Sequence, residues 1–143
     1  MASAKGLSGF PEWLPEQEIV QQAVIAEIRH QFELHGYTPL HTRSLERVED
    51  LVGKGGDTDK EIYVVRRWAA GAEEGESSLG LHYDLTVPFA RYVSENRGQL
   101  TFPFRRYQIQ PAWRGERPQL GRFREFLQAD VDVIGQGSLD VRY

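Results

Sequence analysis

The fold is decided by residues 105–114, RRYQIQPAWR, and residues 122–134, RFREFLQADVDVI, which are separated by the segment 115–121, GERPQLG. Both long stretches are rich in residues that favour strands. The intervening segment has the length and composition that join antiparallel neighbours. We therefore predict a β-hairpin in the last third of the chain.

The side chains of these two strands separate into an apolar and a polar set, because successive residues of a strand point to opposite faces. In the second strand, the odd-numbered set is nearly all apolar and is expected to face the core: Phe123, Glu125, Leu127, Ala129, Val131 and Val133. The even-numbered set is mostly polar: Arg122, Arg124, Phe126, Gln128, Asp130 and Asp132. The first strand has its own polar set, Arg106, Gln108, Gln110 and Arg114. We expect both strands to turn their polar sides the same way.

A polar strand face has two interpretations. An antiparallel sheet with one face in water would also be polar on that side. Solvated faces favour Lys, Glu and Thr, whereas Arg, Gln, Asp and Phe suit directed contacts. The even-numbered residues of the second strand have arginines at one end and aspartates at the other. This separation of charges favours a binding surface for a small zwitterion joined to a polyphosphate. Arg114 and Arg122 would bind phosphate oxygens and Phe126 would stack on a flat base, while Asp132 with Gln128 would hold a cationic or hydrogen-bonding group.

Upstream of the hairpin, the pattern predicts helices that alternate with short strands. Residues 1–14 lack periodicity and predict an arm that docks locally. Apolar residues at three- and four-residue steps predict a helix over about residues 15–35 whose stripe faces the core: Val20, Val24, Ile28 and Phe32. Further strands are predicted over 37–41, 61–68 and 79–83, and helices over 44–52 and 85–96. The cluster GKGG at 53–56 lacks the spacing of a phosphate loop and predicts a flexible turn, and 69–78 predicts a mobile loop.

Composition narrows the class of protein. The chain has 143 residues, 40% hydrophobic and 27% charged, which is typical of one packed unit. Its lack of cysteine excludes a disulfide scaffold, a cysteine zinc site and a thiol nucleophile. Its four histidines lack metal-ligand spacing. No signal-peptide pattern and no apolar run of membrane-spanning length occurs, so we expect a cytoplasmic protein.

Three segments resemble the histidyl-tRNA synthetase family of class II aminoacyl-tRNA synthetases. Residues 113–128, WRGERPQLGRFREFLQ, closely resemble motif 2 of that class. Residues 81–92, LHYDLTVPFARY, are similar to the family's histidine-binding segment. The helix that ends at Gly36 and Tyr37, with the residues that follow to Glu46, resembles motif 1. The fold that this implies is α+β, an antiparallel sheet backed by helices, as the truncated core of a class II synthetase.

The resemblance implies activation of histidine by ATP and Mg²⁺, followed by transfer of the histidyl group to tRNA(His). It implies that Arg114 is catalytic and bridges the histidine carboxylate and the α-phosphate. The remaining implied histidine-binding residues are Asp84, Thr86 and Gln128 for the α-amino group and Asp132 for the imidazole. The remaining implied ATP-binding residues are Glu116 and Phe126 for adenine and Arg122 for the terminal phosphate. Gln119 would approach the tRNA acceptor end. A homodimer is expected, with no protein-bound metal and no membrane or DNA partner.

The chain departs from the family pattern at two positions and in length. Arg43 stands where motif 1 has proline, and His82 stands where the histidine-binding segment has arginine. Residues 1–143 are interpreted as the N-terminal portion of a catalytic domain, without motif 3 or the anticodon-binding domain, so low activity is expected for this piece alone. Two alternatives stay open: a synthetase-like histidine-binding regulatory subunit of ATP phosphoribosyltransferase, and a pure dimerisation module.

Overall fold

The structure, a computed structural model, describes residues 6–52, 61–66 and 79–135. In chain order the elements are α1 (Pro15–Leu34), β1 (Thr38–Pro39), β2 (Leu45–Arg47), α2 (Val48–Leu51), β3 (Val64–Val65), β4 (Leu79–Leu81), α3 (Thr86–Asn96), β5 (Phe104–Trp113) and β6 (Glu125–Ile134). The predicted α+β class is confirmed. Within the described ranges no helix is both long enough and apolar enough to cross a membrane.

The strands form two small sheets. The first has the order β1-β5-β6, with β1 parallel to β5 and β5 antiparallel to β6. This sheet is therefore mixed, because the short strand after α1 enters alongside β5. The second sheet is antiparallel, with the order β2-β4-β3. Among the described strands, β6 lies at an edge of the first sheet.

The predicted hairpin of β5 and β6 is confirmed, and both strands turn their polar sides the same way. The register places Arg106 opposite Asp132, Gln108 opposite Asp130 and Gln110 opposite Gln128. Opposed residues of an antiparallel pair share a face. The hairpin therefore gathers these six side chains on one side of the sheet, which we call the polar face.

The expectation that the odd-numbered residues of β6 face the core is wrong. Leu127 and Val131 are each 39% exposed, and Ala129 between them is also exposed. On β5 the polar face is the buried one, because Arg106, Gln108 and Gln110 are almost fully covered. Apolar alternation located the two faces correctly, but it did not show which face the described neighbours cover.

Helix α1 has the predicted bounds and capping, but its apolar stripe is largely exposed. Pro15 occupies the first turn, where its missing N–H costs nothing, and the Gln17 side chain accepts a hydrogen bond from the Leu14 amide at 3.0 Å. Gly36 follows the helix with φ +76°, a conformation that favours glycine. Val20 and Val24 are 62% and 53% exposed, against the prediction. The helix meets the sheet near its C-terminus, where the rings of Phe32 and Tyr107 lie 5.5 Å apart.

The arm before α1 docks locally, as predicted. The Gly9 carbonyl accepts hydrogen bonds from the amides of Arg124 (2.7 Å) and Glu125 (3.0 Å). Gly9 has φ +84°, and a Cβ there would lie 2.8 Å from Cγ of Arg124. The Trp13 and Phe123 rings pack edge to face at 6.0 Å. The arm therefore covers the start of β6.

Several predicted boundaries are corrected. Residues 44–52 contain β2 followed by the single turn α2, rather than one helix, because Leu45–Arg47 pairs with β4. The strand predicted over 122–134 begins only at Glu125. The strands predicted over 37–41 and 61–68 are limited to β1 and β3, whereas β4 and α3 lie where expected. The predicted turn at 53–56 and loop at 69–78 lie outside the described residues.

Candidate functional site

Arg114 is held at the end of β5 by three contacts. Its backbone amide donates to the Arg124 carbonyl at 2.8 Å, and its Nε donates to the Tyr83 carbonyl at 3.1 Å. Its guanidinium lies over the Phe126 ring, 5.0 Å from the centroid. Within the described ranges, its two terminal nitrogens have no protein acceptor. Arg114 is therefore fixed at its base and presents two donors.

Phe126, Gln128 and Asp132 lie on the polar face, as the alternation of β6 predicts. All three are partly exposed. The Arg114 guanidinium covers one side of the Phe126 ring, and rings of this kind also stack on flat bases. Gln128 donates from Nε2 to Oδ2 of Asp130 at 2.8 Å, whereas its Oε1 is buried without a donor from the described chain. The face thus combines a cation, a ring, an amide and two carboxylates.

Arg122 does not belong to the polar face, which corrects the expectation for it. It lies in the hairpin loop before β6, where Nε donates to Oε1 of Glu116 at 2.7 Å and Nη2 forms an ion pair with the same carboxylate. Hydrogen bonding to Glu116 raises the pKa of Arg122, so this cation stays charged. The structure therefore brings two of the predicted ATP-binding residues together, but as partners of each other.

The loop that carries Gln119 forms a tight turn at the tip of the hairpin. The backbones of Gln119 and Arg122 exchange two hydrogen bonds, each 3.0 Å long. Gly121 closes the turn with φ +74°, and Leu120 is completely exposed at its apex. Gln119 is exposed beside it. The residue predicted to approach tRNA therefore projects at the outermost part of the hairpin.

Asp84 and Thr86 lie at the start of α3. Asp84 caps this helix, because its Oδ1 accepts a hydrogen bond from the Val87 amide at 3.2 Å. Thr86 is the first helical residue and is exposed. The bond between Arg114 and the Tyr83 carbonyl joins this segment to the end of β5. Sequence-distant segments that were predicted to share one ligand are therefore adjacent.

Asp132 forms an ion pair with a buried arginine of the neighbouring strand β5. Arg106 is completely buried, forms an ion pair with Asp132 through Nη2, and places its guanidinium 4.1 Å from the centroid of the Phe89 ring. Burial lowers the pKa of Arg106, and the nearby carboxylates of Asp132, Asp130 and Asp84 oppose that effect. Burial raises the pKa of Asp132; the Arg106 guanidinium opposes the rise and Asp130 adds to it. Sequence reasoning placed Arg106 on the polar face but gave it no role.

A network of amides, which sequence reasoning also missed, holds the segment after β1 against β5. The Gln110 side chain accepts from the Thr42 amide at 3.0 Å and donates to the Thr42 carbonyl at 2.9 Å. Gln108 donates to the Thr42 hydroxyl at 3.1 Å and to Oε1 of Gln110 at 2.7 Å. Two glutamines on one strand face beside an arginine were the available signal. Thr42 bonds to both glutamines, whereas Oε1 of Gln108 is buried without a donor from the described residues.

The two departures from the family pattern both have polar partners, although the Arg43 side chain is exposed and His82 is buried. Arg43 donates to the buried Glu46 carboxylate at 2.8 Å, and Arg91 of α3 contacts the other oxygen of that carboxylate at 2.9 Å. Hydrogen bonding to Glu46 raises the pKa of Arg43. His82 is fully buried, with its ring nitrogens 3.2 Å and 2.8 Å from the carbonyl oxygens of Arg43 and Pro111.

The residues of the polar face do not line the groove around Glu46, and the part of the chain that the structure describes contains no candidate metal cluster there. An open groove of about 560 Å³ lies elsewhere, lined by Glu46 and neighbouring residues of β2, α2, β4 and α3. Within the described ranges, no group of three or more His, Asp or Glu side chains could hold a metal ion. The β6 half of the polar face, Gln128, Asp130 and Asp132, is partly exposed, whereas its β5 half is buried.

The chain is similar to proteins of the histidyl-tRNA synthetase family. A family model described as histidyl-tRNA synthetase matches residues 9–143. A histidine–tRNA ligase of Cutibacterium acnes is 56% identical over 97% of this chain, and one of Micrococcus luteus is 53% identical over 100% of it. The chain spans 31% and 33% of the lengths of these two relatives.

Solved structures agree with this grouping. The crystal structure of a histidyl-tRNA synthetase from Nostoc matches 96% of this chain, and the match covers 30% of that chain, with a TM-score of 0.79 and 37% identity. A Bacillus halodurans structure titled as an ATP phosphoribosyltransferase regulatory subunit/histidyl-tRNA synthetase matches 95% of this chain and 34% of its own, with a TM-score of 0.75 and 23% identity. The second likeness shows the fold alone.

Proposed function

Because the chain belongs to the histidyl-tRNA synthetase family, we propose that it carries part of the site that activates histidine with ATP and transfers it to tRNA(His). One observation supports this most strongly. Arg114 is held between the Tyr83 carbonyl and the Phe126 ring, and Gln128 and Asp132 follow Phe126 along the same face of β6. That arrangement suits a ligand with a carboxylate and a phosphate at one end and a hydrogen-bonding ring at the other.

In the first step the histidine carboxylate attacks the α-phosphorus of ATP. A bond forms between a carboxylate oxygen and phosphorus, the bond to the bridging oxygen of pyrophosphate breaks, and pyrophosphate leaves with its electrons. Negative charge develops on the α-phosphoryl oxygens, where the terminal nitrogens of Arg114 donate hydrogen bonds. ATP enters as its magnesium complex, which is substrate. The contribution of Arg114 is positioning and charge stabilisation, and no side chain need act as the nucleophile.

The remaining predicted residues supply recognition. Asp84, Thr86 and Gln128 hold the α-amino group, and Asp132 accepts a hydrogen bond from the imidazole. Adenine stacks on the Phe126 ring and contacts Glu116. Arg122 leaves its pair with Glu116 to contact the terminal phosphate. In the second step a ribose hydroxyl at the tRNA 3′ end attacks the histidyl carbonyl and AMP leaves, with Gln119 near the acceptor end.

The protein is proposed to act in the cytoplasm as a homodimer. Ile19, Val20 and Val24 of α1 are all more than half exposed, and the helix belongs to the segment that resembles motif 1. A second copy is the proposed occupant of this apolar surface. The regulatory-subunit alternative receives no comparable support, because the Bacillus halodurans likeness concerns the fold alone and Arg114, Glu116, Arg122 and Phe126 are all present.

The test is histidine-dependent exchange of pyrophosphate into ATP by the complete gene product. Arg114→Ala should reduce exchange by roughly a hundredfold or more, the usual effect of removing one donor that stabilises transition-state charge. Arg117→Ala is the matched control, since this arginine is exposed three residues away in the same loop, and it should retain exchange within about twofold. Histidine binding without any ATP binding would instead support the regulatory alternative. Exchange that is equal with other amino acids would refute the assignment.

A further inference from the structure

Arg106 of β5 is the cross-strand neighbour of Asp132, the residue that the proposed function assigns to the imidazole. It is opposite Asp132 in the register of β5 and β6, is fully buried, and forms an ion pair with Asp132 through Nη2. Asp132 itself remains 37% exposed on its side chain. The carboxylate therefore has one side occupied by a buried cation and another side open to a ligand.

Arg106 is itself held in place by a different element. Its guanidinium lies over the Phe89 ring of α3 at 4.1 Å, and Phe89 is 3% exposed. Helix α3 begins at Thr86, two residues after Asp84. Arg106 thus joins the helix that follows the α-amino-binding segment to the strand that carries Asp132. A displacement of α3 relative to β6 would have to disturb this contact.

Apart from Asp132 and the Phe89 ring, Arg106 has few polar contacts within the described residues. Its Nε and Nη1 are buried and have no hydrogen-bond acceptor among the described residues. A buried cation with so few partners contributes little to stability, because its desolvation offsets the attraction of a single carboxylate. Its contact with the Asp132 carboxylate is therefore better explained by an effect on that carboxylate than by a contribution to stability.

We propose that Arg106 is a positioning residue that orients the Asp132 carboxylate toward the imidazole of histidine and couples it to α3. This inference rests on the proposed function, since it assumes that Asp132 contacts the ring. Oδ2 of Asp132 is occupied by Arg106, so Oδ1 is the oxygen available to a ring N–H. Arg106 touches no substrate atom in this scheme and acts through Asp132 alone.

The charged groups around Asp132 determine how its protonation responds. Asp130 lies two residues away on the same face, Arg106 faces it from β5, and Asp84 precedes α3. Asp130 raises the pKa of Asp132 and Arg106 opposes that rise, whereas Asp84 acts on Arg106. Loss of this cation would raise the pKa of Asp132 further, so the carboxylate would become protonated at a higher pH.

The experiment is the pH dependence of KM for histidine in the exchange reaction, with the complete gene product. Arg106→Met removes the charge and keeps an unbranched side chain of similar length. KM for histidine should rise roughly tenfold, the usual effect of misorienting one charge-assisted hydrogen bond, with KM for ATP unchanged. The acidic limit of histidine binding should move up by about one pH unit relative to the unsubstituted protein. Titration of histidine itself is common to both proteins and cancels.

Two further variants separate positioning from folding. Arg105→Met changes the neighbouring arginine on the opposite face of β5 and should leave KM for histidine unchanged. Phe89→Leu retains an apolar side chain but removes the ring under the guanidinium, and it should raise KM for histidine by a smaller factor. Arg106→Lys keeps a cation at this position. The pH below which histidine binding is lost should therefore return most of the way to its value in the unsubstituted protein.

The inference is overturned if Arg106→Met or Phe89→Leu protein binds histidine with the unsubstituted KM and pH limit. It is also overturned if KM for ATP rises in parallel with that for histidine, because the whole site would then be disturbed. Failure of the proposed function gives a different experimental result. In that case the unsubstituted protein shows no histidine-dependent exchange, and the inference fails with it.

Discussion

The pair formed by Arg106 and Asp132 should cost the folded chain stability rather than contribute it. Arg106→Met, Asp132→Asn and the double variant test this as a thermodynamic cycle. Arg106 is fully buried and Asp132 is 37% exposed, so removal of Arg106 leaves a carboxylate that water can reach. Removal of Asp132 leaves a buried cation that retains Asp130 and Asp84 nearby.

The magnitude follows from two opposed effects. Two charges in contact attract by about 4 kcal/mol at the dielectric constant that suits pairs near a surface, and exposure of Asp132 reduces this. Burial costs several kcal/mol per ion. The burial effect prevails for both partners, because the pKa of Arg106 is lowered and that of Asp132 is raised. We expect Arg106→Met to stabilise by about 1 kcal/mol, Asp132→Asn to destabilise by about 3 kcal/mol because it leaves a buried guanidinium without its carboxylate, and the double variant to be at least as stable as the parent.

The assay is urea unfolding of the 143-residue chain followed by tryptophan fluorescence, with the midpoint compared at constant slope. The pH dependence has a definite sign. An acid with a raised folded-state pKa contributes stability that is fully present below its unfolded pKa and is lost as the pH rises through its folded pKa. Asp132→Asn should remove the loss of unfolding free energy that accompanies the rise in pH. Destabilisation by about 3 kcal/mol or more in both single variants would refute the reasoning and make the pair a stabilising contact.

Two further predictions concern the arm and α1. Gly9→Ala should destabilise the docked arm by about 1–2 kcal/mol, because φ +84° disfavours a side chain and the new Cβ would lie 2.8 Å from Arg124. The measurement is the rate of proteolysis before Pro15, which should increase. Gly6→Ala is the control, because a Cβ at Gly6 has no atom within 4 Å. Val24→Glu should shift the complete gene product from dimer to monomer in light scattering, whereas Glu16→Gln on the same helix should not. An unchanged mass for Val24→Glu would contradict the proposed interface.

Local signals in the sequence located the hairpin and the main helices. Period-two alternation placed Phe126, Gln128 and Asp132 on one face, and Pro15 with Gly36 set the bounds of α1. These signals succeed because strand geometry and helix capping are determined by neighbours in sequence.

The direction of burial could not be predicted in the same way. Apolar alternation does not say which neighbour covers a face, so the exposed Leu127 and Val131 were assigned to the core. Arg122 was assigned to the strand because its parity fits, but its bond to Glu116 forms in the loop. The ion pair of Arg106 and Asp132 depends on the register of the hairpin, which is set by the turn geometry and by the buried face, and the alternation of the two strands predicted neither the turn type nor the correct buried face.

The edge position of β6 links assembly to ligand recognition. One side of this strand hydrogen-bonds to β5, and no described strand pairs with the other side. The backbone that carries Gln128 and Asp132 can therefore accept a further strand directly. Any segment that adds there would stiffen the ligand-contacting strand through its main chain, so the order of the binding surface would depend on whether that edge is occupied.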